Sequence, residues 1–200
     1  RGRVARARLD PDFGNDRRGF GGREDDFQSF GYFPMVSDGS GTAYGFEKDT
    51  LIGGLHQPNP WTNSWLAFFR DERLLHMGNE CVRKGRFSNE FYGRLEKFTA
   101  KLDIWLHEPR YPALIHGDVW TSNVLALDDR ITGFLDPAIY FAAPEVELAF
   151  TALFGTFGES FYARYQELAP LKPGFFEERK DIYNLYPLLV HVRLFGGSYI

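Results

Sequence analysis

The sequence of 200 residues holds a single cysteine, Cys81. That excludes an intramolecular disulfide framework and a multi-cysteine zinc site. A lone thiol suits a reducing compartment, so a cytoplasmic location is expected. No apolar run approaches the roughly 20 residues that a membrane helix needs. The arginines among the first eight residues are followed by no apolar stretch, so they are not a secretory signal. An excess of charge of one sign is also missing: 23 Lys and Arg stand against 27 Asp and Glu, a net charge of −4. That balance argues against binding nucleic acid or an anionic membrane through bulk charge. There is no internal repeat and no tract of one residue type.

Aromatic residues are abundant instead: 20 Phe, 10 Tyr and 4 Trp, in a chain that is 44% hydrophobic and 25% charged. Such a chain can bury a core at a single-domain length. The first 50 residues carry nine of the 21 glycines, together with mixed charge as in residues 15–26. Residues 10–45 are therefore expected to be mostly loop, with 1–43 a flexible or unrecognised insertion ahead of a body over 44–200.

Within that body the apolar spacing changes to a helical period. Asn59-Pro60 reads as a helix start, followed by Trp61, Trp65, Phe68, Phe69 and Leu75 on one face. Ser88 is a candidate N-cap for a second helix whose stripe is Phe91, Leu95, Phe98, Leu102, Trp105 and Leu106, ended by Pro109 and Pro112. Ala113-Leu114-Ile115 is expected to be a buried strand. Residues 124–127 and 131–135, joined by Asp128-Asp129-Arg130, read as a β-hairpin. Helices are expected over 145–154, 159–168 and 177–195, the last with Pro187 inside it. The fold class is α+β: a mainly helical body with a small β-hairpin.

The chemistry gathers around this hairpin. Asp118 and Asn123 are five residues apart in the loop before it, and Asp136 follows its second strand. A hairpin brings its two ends together, so Asn123 and Asp136 can face one site. Two carboxylates and an amide oxygen are what phosphoryl transfer from a nucleotide demands. One carboxylate holds an acceptor hydroxyl and takes its proton. The other, with the amide, offers the oxygen ligands that Mg²⁺ prefers. Asp and Asn have the same spacing in the protein-kinase pattern H-R-D-x-x-x-x-N, with D-F-G downstream. Here Gly117 stands for the Arg, and Asp136-Pro137-Ala138 for D-F-G.

These residues resemble the aminoglycoside-phosphotransferase-like kinases and, within them, the fructosamine kinase (ketosamine-3-kinase) family. The segment from His116 to Asn123 is similar to that family's H-G-D-L-W-x-G-N, and Asp136-Pro137-Ala138-Ile139-Tyr140-Phe141 to its D-P-A-x-Y-Y. Glu145-Val146-Glu147-Leu148-Ala149 resembles R-E-x-D-L-A. Gly53-Gly54, Gln57, Asn59, Trp61 and Trp65 resemble G-G-x-x-Q-x-N-x-W, and residues 191–199 resemble the C-terminal run. The match covers about residues 44–200. Ser122 stands where the family has Gly, Glu147 where it has Asp, and Ala142-Ala143-Pro144 where it has a more polar stretch.

The resemblance implies a protein-kinase-like fold and a set of roles. Asp118 would be the catalytic base. Asn123 and Asp136 would bind Mg²⁺ and through it ATP, and Trp120 would flank the sugar. The substrate implied is a ketosamine, fructosamine or ribulosamine, on a protein or a small amine. Its 3-hydroxyl would be phosphorylated, and the phosphate would then decompose and free the amine. No nucleic-acid or membrane partner is implied, and the oligomeric state stays open. No glycine-rich strand-flanked loop or V-A-I-K-type lysine is found before the first helix, and the chain begins on Arg1 rather than Met. It therefore reads as the C-terminal lobe of a two-lobe kinase, with the nucleotide lobe absent. Two alternatives stay open: a small-molecule alcohol kinase of the aminoglycoside or choline type, and a non-catalytic fragment without the ATP lobe.

Other polar residues have plainer readings. His116 is expected to be a buried imidazole bracing the loop, and His191 a satisfied helix histidine. Glu145 and Glu147 are expected in the first turn of a helix, favoured there by its dipole, with Glu147 bracing the loop. Gln57 and Asn59 read as turn and cap residues, and Cys81 as an ordinary thiol.

Overall fold

The computed structural model describes residues 35–36, 43–127 and 130–196. The loop and glycine-rich run expected before residue 35, the Asp128-Asp129 turn and the motif residues 197–199 lie outside the described residues. In chain order the elements are β1 (Met35–Val36), β2 (Thr50–Ile52), β3 (Leu55–Gln57), α1 (Trp65–Phe68), α2 (His76–Arg83), α3 (Asn89–Thr99), β4 (Ala113–Ile115), β5 (Val124–Leu127), β6 (Arg130–Phe134), β7 (Tyr140–Ala142), α4 (Glu145–Leu153), α5 (Glu159–Leu168) and α6 (Lys180–Phe195).

The first helix begins at Trp65 rather than at Asn59-Pro60. Two acceptors decide this. The Ser64 side chain accepts from the Ala67 N–H at 3.2 Å, and the Glu108 carboxylate, 43 residues downstream of Trp65, accepts from the Trp65 N–H at 2.7 Å. A cap from so far along the chain leaves no local sequence signal. Trp61 lies outside the helix, exposed, with its ring 5.9 Å from that of Phe141. Between α1 and α2 the helical run continues as π-helix over Phe69–Leu75.

Ser88 caps α3 as expected, accepting from the Phe91 N–H at 3.1 Å. The stripe after it does not stay α-helical to Leu106: α3 ends at Thr99 and a 3-10 turn covers Leu102–Ile104. The strand at 113–115, the hairpin and the helices at 145 and 159 lie where expected. The α-helical part of the last helix starts at Lys180, after a π-helical turn over Phe175–Arg179.

Trp65, Phe68, Phe69, Leu74 and Met77 of the first helical run are fully buried and pack towards Tyr183, Tyr186, Leu189 and Val190 of α6. Replacing a side chain such as Trp65 by Ala costs about 3–5 kcal/mol in a core of this kind. Cys81 is buried here, its thiol donating to the Leu189 carbonyl at 3.4 Å, and burial pushes its pKa up to about 11. It is an ordinary core thiol.

Strand pairing positions the site. β4 pairs antiparallel with both β1 and β7, with Ile115 opposite Tyr140. The chain leaves β4 at His116 and returns to β7 from Ile139. Between these points it makes the loop and the β5–β6 hairpin. Residues 116–118 and 136–138 are therefore held side by side by one strand pair.

Candidate functional site

His116 to Asn123 fill the turn out of β4. Gly117 sits at φ +81, and a Cβ there would run into the Ala138 carbonyl. No other residue type fits that approach. The Ala138 N–H in turn donates to the His116 carbonyl at 2.8 Å. The loop thus presses directly on the segment that carries Asp136.

Glu147, in the first turn of α4, braces the loop from below. Its Oε2 accepts from the His116 N–H at 2.6 Å and from the Gly117 N–H at 3.1 Å. The side chain is 5% exposed. Burial pushes its pKa up to about 7, against the pull of the Gly117, His116 and Val119 backbone N–H groups. The longer carboxylate therefore does the bracing that the sequence assigned to it. Glu145 is held apart from the site by Arg179, with two contacts of 2.7 Å between guanidinium and carboxylate.

His116 also braces the loop. Its Nδ1 accepts from the Asp118 N–H at 3.3 Å, and burial holds its pKa below the ordinary value. Burial therefore favours the neutral imidazole.

Asp118 is half-buried, and Asn123 is buried beside it. The Asn123 Nδ2 donates to the Asp118 backbone carbonyl at 2.9 Å and to its Oδ2 at 3.0 Å. Burial pushes the Asp118 pKa up to about 6; the Asn123 bond lowers it and the Asp136 charge raises it. Asp118 therefore senses the Asp136 charge. The Asn123 carbonyl accepts from the Leu135 N–H at 2.9 Å, which ties the loop to the residue before Asp136. Asp136 is exposed and has φ +53, the one non-glycine in the left-handed region among the described residues. Strain of this kind collects at functional sites.

Asp118 opens into a cavity of ≈ 170 Å³ between α4 and α6. Trp120, 39% exposed, stands on its wall with its ring 6.1 Å from that of Phe154. His191 lines it too; its Nδ1 meets the Pro187 carbonyl at 2.7 Å, so it is satisfied within its helix.

The burial of four polar residues at and behind the site was not legible in the sequence. Gln57, read as a turn residue, is fully buried. Its Nε2 donates to the Ala138 carbonyl at 3.1 Å and its Oε1 accepts from the Tyr186 hydroxyl at 2.8 Å. Asn59 is buried too and accepts from Arg73 at 2.6 Å. Arg73 is itself fully buried, with its guanidinium 3.9 Å from the Tyr140 ring centroid. Asn184 is 4% exposed on the cavity wall. The family-like segment around Gln57 and Asn59 was the signal for those two; Arg73 and Asn184 sit in helical stretches where polarity reads as solvent-facing.

Among the described residues no group of three or more His, Cys, Asp or Glu side chains could hold a metal ion, and no helix is long and apolar enough to cross a membrane.

The fructosamine kinase family model matches residues 35–200. A Synechocystis protein named "Probable ketoamine kinase" is 38% identical over 161 residues, covering 80% of this chain and 53% of that protein. The chloroplastic protein-ribulosamine 3-kinase of Oryza sativa subsp. indica is 34% identical over 161 residues, covering 80% of this chain and 46% of that protein. A solved structure of a "Putative fructosamine-3-kinase" from Haemophilus somnus superposes with a TM-score of 0.74 at 33% identity, covering 88% of this chain and 60% of the other. The chain spans about half the length of the curated relatives it matches.

Proposed function

The chain belongs to the fructosamine kinase family, and from that premise we propose that its site transfers the γ-phosphoryl group of ATP to the 3-hydroxyl of a ketosamine. The substrate is a fructosamine or ribulosamine on a protein or small amine. The product is the 3-phosphate, whose decomposition frees the amine and so reverses glycation. One observation carries this reading: the Asp118 carboxyl, with a pKa of about 6, opens into a small aromatic-walled cavity.

A general base works best with a pKa near the operating pH. Asp118 accepts the proton of the 3-hydroxyl while orienting its oxygen towards the phosphorus, and ADP leaves. Asn123 holds Asp118 by its side chain and backbone, so the carboxylate stays aimed. Glu147 fixes the two residues before it. Positioning of this kind supplies much of phosphoryl transfer, because the protein has little covalent chemistry to do. Trp120 lays an aromatic face along the sugar at the cavity rim.

The residues present fit Mg²⁺. The Asn123 amide donates twice from its nitrogen to Asp118, which leaves its oxygen as the ligand atom; Asp136 adds an exposed carboxylate. A metal held by one or two protein oxygens and by substrate phosphates is the usual Mg²⁺ arrangement. Asn123 and Asp136 would hold it, and bound there it neutralises charge on the phosphates.

The test is a substrate panel with the full-length protein, ATP and Mg²⁺. Fructosyl-lysine and ribulosyl-lysine are expected to be phosphorylated, and aminoglycosides and choline not. Turnover of the alcohols alone would assign the site to the other branch of this fold. No nucleotide binding and no turnover at all would leave a non-catalytic chain.

A further inference from the structure

Two residues that line the Asp118 cavity each carry a buried side-chain oxygen without a hydrogen-bond partner among the described residues. These oxygens are Oδ1 of Asn184 and Oε1 of Glu147. Both residues line the ≈ 170 Å³ cavity. A buried acceptor with no donor is destabilising, and native proteins keep few of them. Pro187, on the same wall, has no N–H to give the Tyr183 carbonyl one turn before it. The rest of the wall is largely apolar, including Ile52, Val146, Phe150, Val190 and Leu194.

The chemistry that satisfies such a wall is a small group with several O–H donors and a C–H surface between them. A peptide does not fit: the space is below the ~300–1,000 Å³ of drug-sized sites. The carbon chain of a sugar does. Its amine end then leaves past the exposed Trp120, where a protein-bound lysine has room. We propose that Asn184, with the second oxygen of Glu147, forms the subsite for the terminal hydroxyls of the sugar chain, so that Asn184 sets the preference between six-carbon and five-carbon ketosamines. This rests on the ketosamine kinase reading. It adds a specificity-determining role for a residue that lies apart from the Asp118–Asn123–Asp136 set.

The test uses the full-length kinase and two variants, Asn184→Leu and Asn184→Ala, with fructosyl and ribulosyl adducts of the same amine. A six-carbon chain reaches the subsite with its last hydroxyl and a five-carbon chain does not. The variants are therefore expected to lose about 10–100-fold in kcat/KM on the fructosyl adduct and less than about 3-fold on the ribulosyl adduct, with the KM for ATP unchanged. Because Asn184 Oδ1 has no hydrogen-bond partner among the described residues, Tm is expected to stay level or to rise in Asn184→Leu. An equal loss on both adducts, no loss on either, or a fall in Tm with uniform loss would overturn the proposal and leave Asn184 a packing residue beside trapped water. A wild-type protein that phosphorylates neither adduct overturns the underlying reading, and this inference with it. An active wild type with an unchanged ratio in the variants overturns the inference alone.

Discussion

The Gln57 amide nitrogen lies 3.1 Å from the Ala138 carbonyl, across 81 residues of sequence. Through that contact the β2–β3 hairpin holds the segment carrying Asp136. The other end of the same amide accepts from the Tyr186 hydroxyl of α6 at 2.8 Å. Ala138 is thus fixed from two sides, by Gln57 at its carbonyl and by His116 at its N–H.

Gln57→Leu removes both contacts together with the 2.8 Å bond from Nε2 to the Thr50 hydroxyl, and leaves the Tyr186 hydroxyl and the Ala138 carbonyl unsatisfied. A loss of about 2–3 kcal/mol of stability is expected. Tyr186→Phe removes one bond and is expected to cost about 1 kcal/mol. Urea unfolding of the two single variants and the double variant checks this. The double variant should cost clearly less than the sum, because both changes break the same bond.

Gly117→Ala meets two penalties, a left-handed backbone and a collision with the Ala138 carbonyl. Gly85 provides a control: its φ is +71, but an added Cβ there has nothing within 4 Å. Gly85→Ala should cost only the conformational penalty of about 1–2 kcal/mol. Gly117→Ala should cost more than that, and should also lower kcat, since the backbone of Asp118 must shift. Thermal unfolding of both variants separates the two effects.

The raised carboxyls make stability and activity run in opposite directions with pH. Asp118 and Glu147 hold their protons more tightly in the fold than in the unfolded chain, with pKa values of about 6 and about 7. The unfolded chain binds fewer protons between pH ~4 and ~7, so stability falls as pH rises through that window. Activity requires ionised Asp118 and should rise with an apparent pKa of about 6. Glu147→Gln should flatten the stability curve over pH ~4.5–7. Melting curves and a kcat/KM profile over pH 4–8 check both.

Arg179 and Glu145 form a two-point ion pair of 2.7 Å contacts in a nearly buried position, with Arg179 also donating to the Lys172 and Pro173 carbonyls. Arg179→Met leaves the Glu145 carboxylate without its cation and is expected to destabilise by about 3–5 kcal/mol. Glu145 lies apart from the Asp118 loop, so kcat at 20 °C should change little. Denaturant unfolding and a single-temperature rate measurement test the split.

Local signals carried much of this fold. The Ser88 cap, the apolar run at 113–115, the hairpin and the helices from 145 and 159 were all legible, because a cap or a period lies within a few residues of each element. The Asp118–Asn123–Asp136 grouping was legible because hairpin closure brings its two ends together. What was hidden depends on distant partners. The start of α1 is set by Glu108, more than 40 residues away. Gln57, Arg73 and Asn59 read as ordinary polar residues, yet the fold turns them inward to satisfy backbone carbonyls and each other. Asn184 left no trace in the pattern of α6, because its environment comes from α4 and the loop.

The most direct measurement follows phosphorus by NMR in a mixture of full-length protein, ATP, Mg²⁺ and fructosyl-lysine at pH 7.5, for the wild type and for Asp118→Asn. The account predicts a phosphate ester on the sugar 3-hydroxyl with the wild type. It predicts a rate about 10²–10⁴-fold lower with Asp118→Asn, while ATP binding is kept. Phosphoryl transfer by Asp118→Asn within a few-fold of wild type, or a product phosphorylated elsewhere, would contradict it.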